Sequence, residues 1–211
     1  MLQEFRSRLY IAATVGADPA SLASILDAAQ AATLLVMADA SAPLTATSAR
    51  PLVELAQSKD IAALINGDAQ LARTLRADGV HVPWGKDVVA QYAEAREVLG
   101  NRYIVGVDVG RTRHDAMSLA EAGADYIGFG IPAHVEDREA AAARRRELVG
   151  WWSEIFEVPC VAFDVESADE AIALAGLGAD FIAMRPDFEL SSPEQLAHDI
   201  AAASPQPEAT A

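Results

Sequence analysis

One phrase, present three times, constrains this chain more than any other feature. Ala77-Asp78-Gly79-Val80-His81 returns as Gly123-Ala124-Asp125-Tyr126-Ile127 and as Gly178-Ala179-Asp180-Phe181-Ile182. The alanines lie 47 and 55 residues apart, each interval about the length of two strand-plus-helix units. Glycine past the last apolar residue of a helix supplies a left-handed cap without a Cβ clash. Alanine packs in a tight connection, and aspartate opens the next strand at a solvated end. The phrase therefore reads as helix stop, turn and strand start, and it marks a repeat.

Between the copies, strand-like and helix-like patterns alternate from end to end. The apolar runs predict strands at Arg8–Ala13, Leu34–Ala38, Ile61–Ile65, Gly79–Val82, Tyr103–Val107, Tyr126–Phe129, Pro159–Phe163 and Phe181–Met184. Helical spacing predicts helices at Pro19–Ala32, Thr47–Lys59, Asp68–Arg76, Asp87–Leu99, Arg113–Ala122, Glu139–Phe156, Ser167–Leu177 and Pro193–Ala203. Eight strands alternating with eight helices around a buried parallel sheet give a single α/β (βα)8 barrel, a TIM barrel, over residues 1–203, with an open doubly wound sheet as the alternative. The recurrent phrase then belongs to the stability-bearing N-terminal face. Residues 204–211, with two prolines and no apolar anchor, are expected to form a disordered tail.

The 211 residues, 52% hydrophobic, suffice for one core. A formal net charge of −15 argues against a partner whose phosphates must be neutralised, so neither nucleic acid nor a membrane surface is expected. Cys160 stands alone within the apolar run Val158 to Phe163 and reads as a buried structural thiol. No apolar run reaches the roughly 18 residues of a membrane helix, and a cytoplasmic protein is expected.

In a βα barrel the chemistry lies at the C-terminal ends of the strands. Those ends carry Asp39, Asn66, His81 with Trp84, Asp108, Gly128 to Gly130, Asp164 with Glu166, and Arg185. Asp39, Asp108 and Asp164 can either hold a hard cation such as Mg²⁺ or cap the helices that follow. His81 is either a general acid or base or a hydrogen-bonding group inside the mouth. Trp84 is a stacking wall for a flat ligand or an aromatic plug. Arg185 is the expected partner of an anionic ligand, with an ion pair to Asp187 or Asp164 as the alternative. The run Arg144-Arg145-Arg146 is expected to be solvated helix surface. Trp151-Trp152 is expected to serve core and subunit contact, which leaves a homo-oligomer open.

The order of the phrases resembles the thiamine phosphate synthases and their relatives, the thiazole tautomerases, from about Leu64 to Ala202. Leu64-Ile65-Asn66 with Leu71-Ala72 is similar to the family's third strand end and following helix. Ala77-Asp78-Gly79-Val80-His81 is similar to its most specific phrase. Gly106, Gly123 to Gly128 and Gly130 follow in the family's order, and Val158-Pro159-Cys160-Val161-Ala162 resembles its seventh strand.

The resemblance implies a synthase that joins a pyrimidine diphosphate to a thiazole phosphate with Mg²⁺. The match retains Asn66, His81 and Gly130, with His81 and Asn66 as the catalytic candidates, while the strand-end reading adds Asp39, Trp84, Asp108, Asp164 and Arg185 to Gly130 as candidate ligand contacts. The chain departs from the pattern at several of the family's binding positions. Its two metal aspartates fall at Gly67 and Lys86, with Asp87 next to the second. The strand-two cations fall within Leu35 to Asp39, and a strand-five serine falls at Asp108. The loop after strand six is rewritten as Ile131 to Glu136, with His134 three residues beyond the tautomerase histidine position. The two phosphate-cradling turns read Asp164-Val165 and Arg185-Pro186. No metal site is assigned on these residues. The expectation is therefore a family barrel with altered metal and phosphate positions and a small-molecule ligand, phosphorylated if synthase chemistry is retained. The alternative is a non-catalytic relative that binds a small molecule or a protein.

Overall fold

Eight parallel strands close on themselves in chain order, each hydrogen-bonded to the next and the eighth to the first. The strands are β1 Arg8–Thr14, β2 Thr33–Met37, β3 Ala62–Asn66, β4 Gly79–Val82, β5 Ile104–Asp108, β6 Tyr126–Phe129, β7 Cys160–Ala162 and β8 Phe181–Met184. The helices are α1 Pro19–Ala28, α2 Ala46–Gln57, α3 Ala69–Leu75, α4 Val88–Leu99, α5 Arg113–Glu121, α6 Arg138–Ile155, α7 Ala168–Gly176 and α8 Pro193–Ala203. This is a computed structural model that describes residues 6–132, 134–186 and 192–205. The (βα)8 barrel expected from the alternation is the fold that forms.

Short polar side chains start the helices. Asp18, Thr45, Asp68, Thr112, Asp137, Ser167 and Ser192 each accept the N–H of the third helical residue that follows. Only one boundary departs from the sequence by more than two residues. Helix α1 stops at Ala28, because Gln30 takes a left-handed φ of 46° and frees Ala32 to donate to Leu9 at 2.8 Å.

The recurrent phrase does more than the sequence suggested. Gly123 and Gly178 take φ of +91° and +93°, the left-handed turn that the helix-cap assignment requires. Before β4 that part falls to Arg76, at φ 57°, and Gly79 is instead a strand residue. A Cβ there would lie 2.0 Å from the Ile104 carbonyl oxygen. The three aspartates also have a shared task. Asp78, Asp125 and Asp180 accept the N–H of Ala63, Val105 and Cys160, each at 2.8 Å. Each carboxylate thus binds a backbone donor at the bottom of the preceding strand.

Two apolar compartments hold the barrel. The larger lies between strands and helices, where Leu26, Leu34, Val36, Ile127, Leu148, Trp152 and Ile182 are buried. Cys160 belongs to it, and burial first, then Asp180, pushes its thiol up to about 12. The smaller compartment fills the barrel with Tyr10, Ala12, Leu35, Leu64, Tyr126, Val161, Phe163 and Ala183. Ser204, assigned to the tail by sequence, is buried: its hydroxyl accepts the Ser7 N–H at 2.8 Å and donates to Ile200. Residues 206–211 lie outside the described residues. Among the described residues, no helix is long and apolar enough to cross a membrane.

Candidate active site

Strand register decides which side chains reach the mouth. Leu35 pairs with Leu64, Leu64 with Gly79, Gly79 with Ile104, Gly106 with Tyr126, and Gly128 with Val161. Leu35, Leu64, Tyr126 and Val161 belong to the inner compartment, so the period of two puts every second residue from them on the inward face. Followed to the C-terminal ends, that face carries Asn66, His81, Asp108, Gly130 and Phe163. The same parity reaches Arg185 after β8 and Asp39 after β2.

His81 sits deepest. Its Nδ1 lies 2.8 Å from the Tyr126 hydroxyl, which lies 3.0 Å from the Tyr10 hydroxyl, a chain of three polar groups crossing the barrel interior. The imidazole stacks on Tyr126 at 5.9 Å and packs on Phe163 at 4.6 Å between ring centroids. Burial lowers the His81 pKa to about 3, so the ring is neutral at physiological pH. Burial likewise pushes both tyrosines up and keeps their protons in the chain. Gly106 makes the room, since a Cβ there would lie 1.9 Å from Tyr126 Cζ. Tyr10, Tyr126 and Phe163 were not among the sequence candidates. The available signal was a tyrosine at alternate position within each of two otherwise apolar strands.

Above this chain two carboxylates converge on one glycine. Asp108 Oδ1 accepts the Gly110 N–H at 2.7 Å and the Gly130 N–H at 3.2 Å. Asp164, with a left-handed φ of 56°, turns its Oδ2 back to accept the Ile131 N–H at 2.7 Å. A Cβ on Gly130 would meet Asp108 Oδ2 at 2.5 Å and Asp164 Oδ2 at 3.0 Å. Desolvation raises the Asp108 pKa to about 7, and the charge of Asp164 adds to it against the two backbone donors. Asp164 therefore does not cap α7, a task that Ser167 performs; it ties the loop after β7 to the loop after β6.

A cavity of about 730 Å³ opens here, lined by Pro83, Trp84, Asp108, Ile131, Pro132, His134, Arg138 and Asp164. Another, of about 670 Å³, lies at the opposite end around Ser7, Gly178 and Asp180, the end that serves stability in this fold. Of the sequence candidates, Trp84, Asp108 and Asp164 line the mouth cavity, and Gly130 lies against both carboxylates. Asp39 is turned to its own loop: Oδ1 accepts from the Ser41 N–H at 2.9 Å and hydroxyl at 2.6 Å, which lowers its pKa. Asn66 is half-buried at the end of β3, and Arg185 is exposed directly after β8. Asp187, its suggested partner, lies outside the described residues.

Two arginines change the expected picture. Arg145 is not solvated surface: it is 1% exposed, donating to the Phe163 carbonyl and to Glu170, while its Nε has no partner among the described residues. The 100° step between helical residues turns Arg145 to the core, while Arg144 pairs outward with Glu147. Arg138, missed in the sequence, spans the two site loops by donating to the Ile131 carbonyl and pairing with Glu166 at 2.8 Å.

At the two places where the resemblance puts metal aspartates this chain has Gly67 and Lys86. Among the described residues, no three His, Cys, Asp or Glu side chains gather around a common point. Asp39, Asp108 and Asp164 each accept a backbone N–H of the site loops.

Fold and mouth together define a (βα)8 barrel whose mouth cavity is built by the loops after β4 to β7. A family model described as thiamine monophosphate synthase matches residues 11–188, and the chain belongs to that family. A thiamine-phosphate synthase of Erythrobacter litoralis is 41% identical over 138 residues, 64% of this chain and 63% of that one. A thiamine-phosphate synthase of Rhodospirillum centenum is 36% identical over 182 residues, 84% and 86% of the two chains. A thiamine phosphate pyrophosphorylase from Pyrococcus furiosus has the same fold, with a TM-score of 0.74, 20% identity and coverage of 94% and 98%.

Proposed function

We propose that this chain binds a small molecule in the mouth of the barrel and does not support the pyrophosphate-releasing transfer of a thiamine phosphate synthase. The observation that carries this is the pair of carboxylates at Gly130. Their Oδ2 atoms crowd the space above that glycine, and each side chain accepts one of the adjacent amides. A departing pyrophosphate needs its growing charge neutralised, and carboxylates at this place oppose it. The altered family positions agree: Asp39, Gly67 and Lys86 stand where metal and cations are expected, and Pro186 has no N–H to offer a phosphate. Lost stabilisation of about 4 kcal/mol lowers a rate on the order of 10³-fold.

The ligand the mouth favours is small and flat, with hydrogen-bond donors for Asp108 and Asp164 and a face for Trp84. His81, neutral and bonded to Tyr126, lies in the barrel interior rather than among the residues that line this cavity, and its part is to orient the interior hydrogen-bond chain. Retained synthase activity is the competing function, favoured by 36% identity over most of the chain to a named synthase. The deciding experiment supplies the full chain with the pyrimidine diphosphate, the thiazole phosphate and Mg²⁺ and measures thiamine phosphate. The expected rate is on the order of 10³ below the enzyme median of about 10 s⁻¹. A rate near that median would sink the proposal.

A further inference from the structure

We propose that the buried ion pair between Arg145 and Glu170 is a positioning pair for the mouth, holding the turn after β7 so that Asp164 stands against Gly130. Neither residue lines the mouth cavity itself. That role deepens the reading of the mouth as a ligand site and rests on it; the placement is measured below without ligand, so either can fail alone.

The ladder between β7 and β8 ends at Ala162 and Ile182, so residues 163–166 leave the sheet on that side. Asp164 then takes a left-handed φ of 56°, a conformation that a residue with a side chain keeps only where its surroundings over-determine it. Arg145 and Glu170 supply that constraint at both ends of the turn. From α6, the Arg145 guanidinium donates to the Phe163 carbonyl and to Glu170 Oε1. From α7, the other Glu170 oxygen accepts the Glu166 N–H at 3.0 Å. Asp164 lies between the two anchored residues, and its Oδ2 accepts the Ile131 N–H at 2.7 Å. The anchored Phe163 in turn packs its ring on His81 and Tyr10.

Burial explains what an ion pair does here that apolar side chains would not. The Arg145 side chain is 1% exposed and that of Glu170 16%. Two desolvated charges add little stability beyond apolar groups of the same volume. What they supply is direction, because a planar guanidinium fixes the acceptors that it bonds. The Arg145 Nε has no partner among the described residues, so the fork is committed through its terminal nitrogens to the turn and to Glu170. Arg138 also pairs with this turn, through Glu166, but 40% of its side chain is exposed, and a pair in water holds weakly. The buried pair therefore sets the turn.

The ¹⁵N-labelled full chain is compared with the double variant Arg145→Met, Glu170→Met, which leaves no charge stranded and is expected to fold, and with Arg145→Ala. Leu26→Ala, a buried truncation on α1, controls for lost stability. The first readout is hydrogen exchange at the Ile131 amide, whose acceptor is Asp164. The second is the pH midpoint of Asp108, followed through the Gly110 and Gly130 amides that bond its carboxylate. Around Asp108 stand Asp164 on the turn after β7, Tyr126 on β6, and His134 and Arg138 across the cavity. Burial first, and then the charge of Asp164, raise Asp108 to about 7, so release of Asp164 lowers the midpoint. Exchange at Ile131 about ten-fold faster and a midpoint about one pH unit lower are expected in both pair variants, and neither change in Leu26→Ala. A native value of either readout in a folded pair variant would make the pair a plain clamp between α6 and α7 and overturn the proposal. The same changes in Leu26→Ala overturn it too, as does failure of both pair variants to fold, since the pair would then serve the whole barrel.

Discussion

Replacing Asp108 by asparagine should make the protein more stable, and increasingly so as pH rises. The carboxamide keeps an Oδ1 to accept from Gly110 and Gly130 but cannot ionise. In the native chain, burial and the neighbouring Asp164 raise the Asp108 pKa from an ordinary 3.8 to about 7. A raised carboxyl pKa means that the folded state holds a proton which the unfolded chain releases above about pH 4. Native stability therefore falls as pH climbs from about 4 to about 7 and is level beyond that. The whole effect is about 4 kcal/mol, and the part that develops between pH 5 and 8 is on the order of 2 to 3 kcal/mol. For a chain of this size that corresponds to roughly 5–10 °C in Tm. Thermal melts of native protein and Asp108→Asn at pH 5, 6, 7 and 8 measure it directly. A Tm difference that stays constant across that range would refute the burial of a charge at this place.

Tyr126→Phe removes the hydroxyl between Tyr10 and His81 without leaving a cavity, so urea titration should show a loss of about 1–3 kcal/mol; an unchanged midpoint would mean that the chain is not formed. Arg145→Ala leaves the Glu170 carboxylate and the Phe163 carbonyl without their donor, at a cost of about 3–5 kcal/mol in the same assay. A cost below about 0.5 kcal/mol, usual for surface changes, would return Arg145 to the solvent. Gly106→Ala should be more damaging than Gly123→Ala. The first places a methyl 1.9 Å from the Tyr126 ring, while the second pays only for φ of +91°, about 1–2 kcal/mol. The reverse order of the two melting temperatures would contradict the inward packing of Tyr126.

Local chemistry made much of this protein legible in its sequence. A helix cap, a turn glycine or an apolar run acts within a few residues, so the eight-fold alternation, the left-handed Gly123 and Gly178, and the strand ends bearing Asn66, His81, Asp108 and Arg185 could be read directly. Closure into a barrel followed from the count of units. The interior assignment of Cys160 followed from its apolar neighbours. Gly79 shows the limit of that method: it could be placed at the start of the fourth strand, but the space it needs is set by Ile104 on the next strand.

What only the tertiary structure decided was which partner each polar group meets. His81 could be a titrating base or a bound imidazole by sequence; Tyr126, 45 residues away, binds it, and burial makes it neutral. Asp164 resembles a helix cap until β6 and β7 pair and bring the Ile131 amide, 33 residues distant, within 2.7 Å. The three successive arginines of α6 are alike on paper, and only the rotation of the helix against the barrel buries the middle one. The physical reason is common to all three. Charge and protonation depend on desolvation and on groups within a few ångströms, and in a barrel those groups are contributed by strands far apart in the chain.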